Sequence, residues 1–175
     1  MSDESFSVSG AMQILERTPN VVRAMLDGLS DDWTNGGTED NWAPFDIIGH
    51  LIHGEVTDWI PRAEIILRQG ADRTFVPFDR VAQFQTSKGK SLSDLLKDFE
   101  VKRRESVDTL RSWNLKDDQL KLKGIHPEFG DVSLSELIAA WVTHDLSHIS
   151  QIAVFMARKY TDAVGPWKDY ISILR

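Results

Sequence analysis

An all-α fold, a four-helix bundle, is predicted for this sequence by three observations. Apolar residues recur at helical spacing in four separate segments, none of the chain alternates at the period of a strand, and stretches rich in Gly, Pro, Asp and Asn part the segments. With 175 residues, 41% of them hydrophobic, there is enough apolar side chain for one core, so a single domain over 1–175 is expected.

The first segment runs from about Val8 to Leu29, with Val8, Met12, Leu15, Val22, Met25 or Leu26, and Leu29 close to helical spacing. Thr18-Pro19 interrupts it, either as a kink or as a new start with Thr18 capping and Pro19 at the first helical position. A loop from Ser30 to Ala43, containing Asn35-Gly36-Gly37, leads to Pro44, which suits the first position of a helix reaching about Gly70 and bent at Pro61. The stretch from Ala71 to Gly89 carries Phe75, Pro77, Phe78 and Phe84, aromatics that need cover, so an ordered connection is expected there. The third helix starts at Ser91, where Ser91-x-x-Asp94 resembles a capping box. It buries Leu92, Leu95, Leu96, Phe99, Val107 and Leu110 and ends near Trp113. The fourth opens on a second capping box, Ser133-x-x-Glu136, and runs to about Tyr160 before Gly165-Pro166. The tail from Trp167 to Leu174 is apolar enough to dock back on the bundle or to pair two copies into a homodimer.

Composition removes several function classes. The net charge of -7 disfavours nucleic acid as a partner, and the one basic run, Lys102-Arg103-Arg104, reads as the solvated face of a helix. No cysteine is present, so disulfides, thiolate metal sites and a cysteine nucleophile are all excluded. The start, Met1-Ser2-Asp3-Glu4-Ser5, is acidic and unlike a signal peptide, and no apolar run is long enough to cross a bilayer. A cytoplasmic protein without membrane contact is expected.

Chemistry concentrates on the histidines. On the fourth helix, a turn of about 100° per residue puts Leu134, Leu137, Trp141, His144, His148, Ile152 and Phe155 in one stripe. His144 and His148 therefore face the core one turn apart, where they can serve as adjacent ligands to one metal ion or as hydrogen-bonded core histidines. On the second helix, His50 and His53 lie beyond opposite edges of the apolar side, and spacing does not choose between them. His50 shares its face with Gly54 and Thr57, small side chains that leave room for a metal or a ligand. Glu55 sits near the centre of that apolar side and needs a partner, for which Arg62, two turns on, is expected. His126, in the turn His126-Pro127-Glu128-Phe129-Gly130, reads as a local hydrogen-bonding group. There is no His-Glu-x-x-His, no phosphate-binding glycine loop and no Gly-x-Ser-x-Gly.

Three blocks carry a family resemblance: Trp42-Ala43-Pro44-Phe45-Asp46-Ile47-Ile48-Gly49-His50-Leu51-Ile52-His53-Gly54-Glu55, then His126 to Gly130, then Trp141 to Ile152. Through them the chain resembles the DinB/YfiT-like superfamily of small four-helix bundles with a three-histidine metal site. The resemblance implies that His50 joins His144 and His148 on one divalent ion, and it selects His50 over His53. It also implies a small-molecule substrate, because family members with assigned activities resemble transferases or isomerases that use low-molecular-weight thiols such as bacillithiol or mycothiol.

Three neutral imidazoles leave the charge of a divalent ion largely uncompensated and a coordination position open, which makes a Lewis acid. A thiol or a water bound there loses its proton near neutral pH. The expected enzyme is thus a metal-dependent S-transferase or isomerase, or else a hydrolase, with Asp145 or a backbone carbonyl orienting a histidine. Zinc, nickel and iron all suit such a ligand set. The alternative is a binding or interaction protein whose metal is a clip, closed by a fourth ligand such as His53 or Glu55.

Overall fold

The computed structural model describes residues 6–175. The acidic start, Met1 to Ser5, lies outside the described residues.

The first arm of the bundle is two helices, α1 (Val8–Leu15) and α2 (Thr18–Leu26). Ser7 caps α1 by accepting from the Gly10 N–H, and Pro19 sits in the first turn of α2, where its missing N–H costs no bond. Thr18 does not cap. Its hydroxyl donates back to the Ile14 carbonyl at 3.2 Å and so joins the two helices. A single turn, α3 (Asp31–Thr34), interrupts the following loop.

The second arm is α4 (Pro44–Thr57) followed directly by α5 (Trp59–Arg68). Pro44 opens α4, and the Asp46 carboxylate accepts from the Ala43 N–H at 3.1 Å. The bend expected at Pro61 is a break at Asp58, whose φ of -113° and ψ of -75° leave the helix. The cause is local, because Pro61 has no N–H to offer the carbonyl of Thr57 four residues back.

After a connection containing α6 (Gln83–Thr86) come α7 (Leu92–Ser112) and the short α8 (Asp117–Leu120). In that connection Phe75 is buried, while Phe78 and Phe84 are half-buried. The longest helix, α9 (Leu134–Arg158), closes the bundle. Ser91 and Ser133 cap α7 and α9 through reciprocal bonds with Asp94 and Glu136.

A correction concerns β structure. Strands β1 (Lys123–His126) and β2 (Gly130–Ser133) form an antiparallel hairpin immediately before α9. At four residues each they are too short to display alternation, and a contact rather than a pattern places them. Gly124 lies so close to the bundle that a Cβ there would stand 2.8 Å from Ile66 and from the Phe75 ring. The Phe75 N–H, donating to the Ile125 carbonyl at 2.9 Å, ties the hairpin to the connection before α6.

The core has two halves. Leu15, Trp59, Ile66, Phe75, Leu110 and Trp141 belong to one, and Val22, Leu26, Ile47, Leu51, Phe99 and Ile152 to the other. Beyond α9 the tail forms two 3₁₀ turns, Gly165–Asp169 and Ser172–Leu174. From Trp167 onward only Ile173 and Leu174 are half-buried, and Trp167 and Tyr170 stay exposed. Among the described residues no helix is long and apolar enough to cross a membrane.

Candidate metal centre

The stripe on α9 is real: Leu134, Leu137, Trp141, Ile152 and Phe155 are buried, and His144 and His148 lie half-buried within it. From α4, His50 enters the same space with 5% of its surface exposed. The Nε2 atoms of His50 and His144 are 3.1 Å apart, as are those of His144 and His148. The three side chains each offer a ligand atom within 4.8 Å of the others.

Aromatic rings enclose the cluster. The Trp42 ring lies 4.8 Å from that of His50 and runs parallel to that of His148 at 6.3 Å. Trp59 meets His144 edge-on at 5.2 Å, and Phe78 meets His50 edge-on at 5.3 Å. The gap at Gly54 expected to leave room for a ligand is filled instead by Trp59, whose Nε1 would stand 3.1 Å from a Cβ there.

These surroundings keep the imidazoles neutral. Burial, reinforced by the neighbouring histidines, pushes His50 and His144 down to about 3, and burial lowers His148 as well. Neutral rings with convergent nitrogens fit a metal ion, because each can offer a lone pair to a common point. In a tetrahedral site with metal–nitrogen bonds of about 2.0–2.1 Å, ligand nitrogens stand roughly 3.3 Å apart, close to the spacing found here.

Gln151 orients one ring. Its Oε1 accepts from His148 Nδ1 at 2.8 Å, which leaves Nε2 of that ring with its lone pair free. Sequence reasoning overlooked Gln151, although its place one turn after His148 was the available signal. Nδ1 of His50 and Nδ1 of His144 are buried without a hydrogen-bond partner among the described residues.

Asp145, expected to orient a histidine, is engaged elsewhere. Its carboxylate accepts from Arg103 on α7, at 2.9 Å for Oδ1. Arg103 is 1% exposed, so the middle of Lys102-Arg103-Arg104 is core rather than wet surface. Its Nε and Nη2 also donate to Glu55 Oε1 at 3.0 and 2.8 Å, and Nη1 donates to the Leu15 carbonyl at 3.0 Å. Trp141 Nε1 donates to the same Glu55 oxygen at 3.1 Å. The guanidinium lies over both Phe99 and Trp141, one from each half of the core. The expected Glu55 to Arg62 pair is therefore corrected to Glu55 with Arg103. Arg62 turns to Asp58 at 2.5 Å, because the break before α5 rotates it off the face of Glu55.

A cavity of about 570 Å³ opens beside the cluster, lined by His50, His144 and His148, by Trp42, Trp59 and Phe75, and by the hairpin turn. Asp58 and Arg62 also border it, and burial pushes the Asp58 carboxyl up to about 6 against the pull of Arg62. His53 stays outside the cluster, half-buried near Phe78. His126 lies on the cavity wall and, as expected of a turn residue, makes local bonds: its Nδ1 accepts from the N–H groups of Glu128 and Phe129.

Similarity to known proteins agrees with this architecture. The solved structure described as "YfiT from Bacillus subtilis is a probable metal-dependent hydrolase with an unusual four-helix bundle topology" superimposes with a TM-score of 0.73 at 21% sequence identity, over 91% of this chain and 93% of that one. At that identity the likeness concerns the fold. A comparison with curated proteins gave no match. The family model described as the DinB superfamily matches residues 14–152, most of the chain and all three clustered histidines, so this chain belongs to the DinB superfamily.

Proposed function

We propose that the chain is a cytoplasmic, metal-dependent enzyme, a single domain over 1–175, in which His50, His144 and His148 hold one divalent ion, zinc or nickel in preference to iron. The reaction we assign first is S-transfer or isomerisation of a small molecule with a low-molecular-weight thiol. The observation that carries the reading is the meeting of three neutral Nε2 atoms from α4 and α9 beside a cavity of about 570 Å³.

When bound there, the ion supplies Lewis acidity that brings the pKa of a coordinated thiol or water toward neutrality. The residues of the chain do the remainder. Gln151 fixes the lone pair of His148 toward the common point, and Trp42, Trp59 and Phe78 limit access of bulk water. Asp58, with a carboxyl pushed up to about 6, borders the cavity and has the proton affinity to take up the proton released. Hydrolysis is the second reading, favoured by the likeness to the Bacillus subtilis YfiT structure, described as that of a probable metal-dependent hydrolase.

Metal analysis of tag-free protein tests the ligand set. Wild type should carry about one ion per chain and His144→Ala essentially none; equal metal content would remove the site. Assays of metal-loaded protein with a thiol plus an electrophile, and separately with esters and amides, divide the two reactions, since thiol-independent hydrolysis would overturn the transferase reading. We expect a homodimer paired through the exposed Trp167 and Tyr170, and a monomer in sedimentation equilibrium would remove that element.

A further inference from the structure

Of the histidines bordering the cavity, His126 alone stands apart from the cluster. It ends β1, opposite Gly130, and its ring is held from three sides. Phe129 stacks on it at 4.4 Å with the planes 13° apart, and Phe75 meets it edge-on at 6.3 Å. In the plane of the ring, Nδ1 accepts from the Glu128 N–H at 3.1 Å and the Phe129 N–H at 3.3 Å. A ring nitrogen that accepts hydrogen bonds carries no proton, so the neutral ring is protonated on Nε2. Burial and the nearby charge of Arg62 keep the ring neutral by lowering its pKa.

This leaves a fixed donor on the hairpin wall. No protein acceptor engages Nε2 among the described residues. Arg62 borders the same cavity with Nε in an ion pair with Asp58 and Nη2 donating to the Val76 carbonyl, while Nη1 makes no hydrogen bond among the described residues. The cavity thus has lone pairs on the wall formed by α4 and α9, N–H donors on the wall formed by the hairpin and α5, and Trp59, Phe75 and Leu137 among its apolar lining. A polar group fixed by its surroundings in an apolar cavity sets ligand orientation.

We propose that His126 is a substrate-binding residue whose Nε2–H donates to an oxygen acceptor, a carboxamide or carboxylate, on a substrate with an apolar body and its reacting end at the histidine cluster. The placement of the reacting end rests on the metal reading above.

Asparagine and glutamine separate the two nitrogens of the ring. Asparagine can present an acceptor near the position of Nδ1 but no donor at that of Nε2, and glutamine can do the reverse. The probes are ω-mercapto carboxamides with two to six methylenes, each set against the alkyl thiol of equal length. Binding to zinc-loaded wild type, H126N and H126Q is measured by calorimetry, and each protein is also melted. We expect the best amide to bind wild type about three- to tenfold more tightly than its alkyl partner, the value of one hydrogen bond. H126N should lose that preference while binding alkyl thiols and melting as wild type does. H126Q should keep the preference and melt lower; if it does not fold, H126N decides. Amides that gain nothing on wild type at any length, or a preference that survives in H126N, would reduce His126 to a turn former and overturn the proposal. Failure of every thiol to bind would overturn the metal-and-thiol reading and this proposal with it, a result distinct from thiols that bind without preference. Carboxylates in place of the amides report whether Arg62 strengthens the contact.

Discussion

A charge placed in a protein interior must be answered there, and Arg103 is answered by two carboxylates from two other helices, Glu55 and Asp145. Removing it strands both acids, so Arg103→Met should cost roughly 3–5 kcal/mol in urea unfolding; a loss below about 1 kcal/mol would show that the acids find other partners. The pairing was legible in part. Arg103 falls between Phe99 and Val107 on the stripe that also holds Leu96 and Leu110, so helical spacing alone puts it inside, as it does Glu55 on its own helix. A basic neighbour on either side hid this. Asp58 gives a pH-dependent contribution with a definite sign. Its carboxyl is pushed up to about 6 from an ordinary value of 3.8, so the folded state holds the proton more tightly than the unfolded chain does. The stability this contributes is complete below 3.8 and is lost as pH rises through about 6. The stability of wild type relative to Asp58→Asn should therefore fall between pH 4 and 6 and level off above. A difference that is flat with pH would mean that Arg62 holds the carboxyl ionised.

At the scale of elements, what sequence reveals follows how local the cause is. Both long helices start where a serine and an acid three residues later cap each other, and the capping boxes at Ser91 and Ser133 marked those ends. The hairpin was invisible because its cause is tertiary, a glycine backbone seated on Ile66 and Phe75. Gly124→Ala tests this. A methyl group 2.8 Å from those side chains forces the hairpin outward, and overpacking of this kind costs about 1–3 kcal/mol. The melting temperature should drop, while metal content, set by α4 and α9, stays at the wild-type level. A variant as stable as wild type would show that the hairpin shifts freely, and with it one wall of the cavity.

For the molecule as a whole, helical spacing foretold the bundle and the α9 histidine pair, and the family resemblance alone added His50, whereas the cavity could not be foreseen. Its far wall comes from the hairpin and from the connection before α6, segments without periodicity. A bound ion should stabilise the entire bundle, since His50 and the α9 pair lie on different arms. At zinc concentrations about a hundredfold above the dissociation constant the gain is roughly 2.7 kcal/mol, read as a rise in melting temperature that His148→Ala abolishes. An unchanged melting temperature in wild type would mean that zinc finds no site. The rings of Trp42 and Trp59, 4.8 Å from His50 and 5.2 Å from His144, turn the same event into light. An open-shell ion such as nickel(II) gives an excited indole a dark route to the ground state, and closed-shell zinc(II) offers none. Ultraviolet emission that dims with nickel and survives zinc would let the protein report its own occupant, without any added dye.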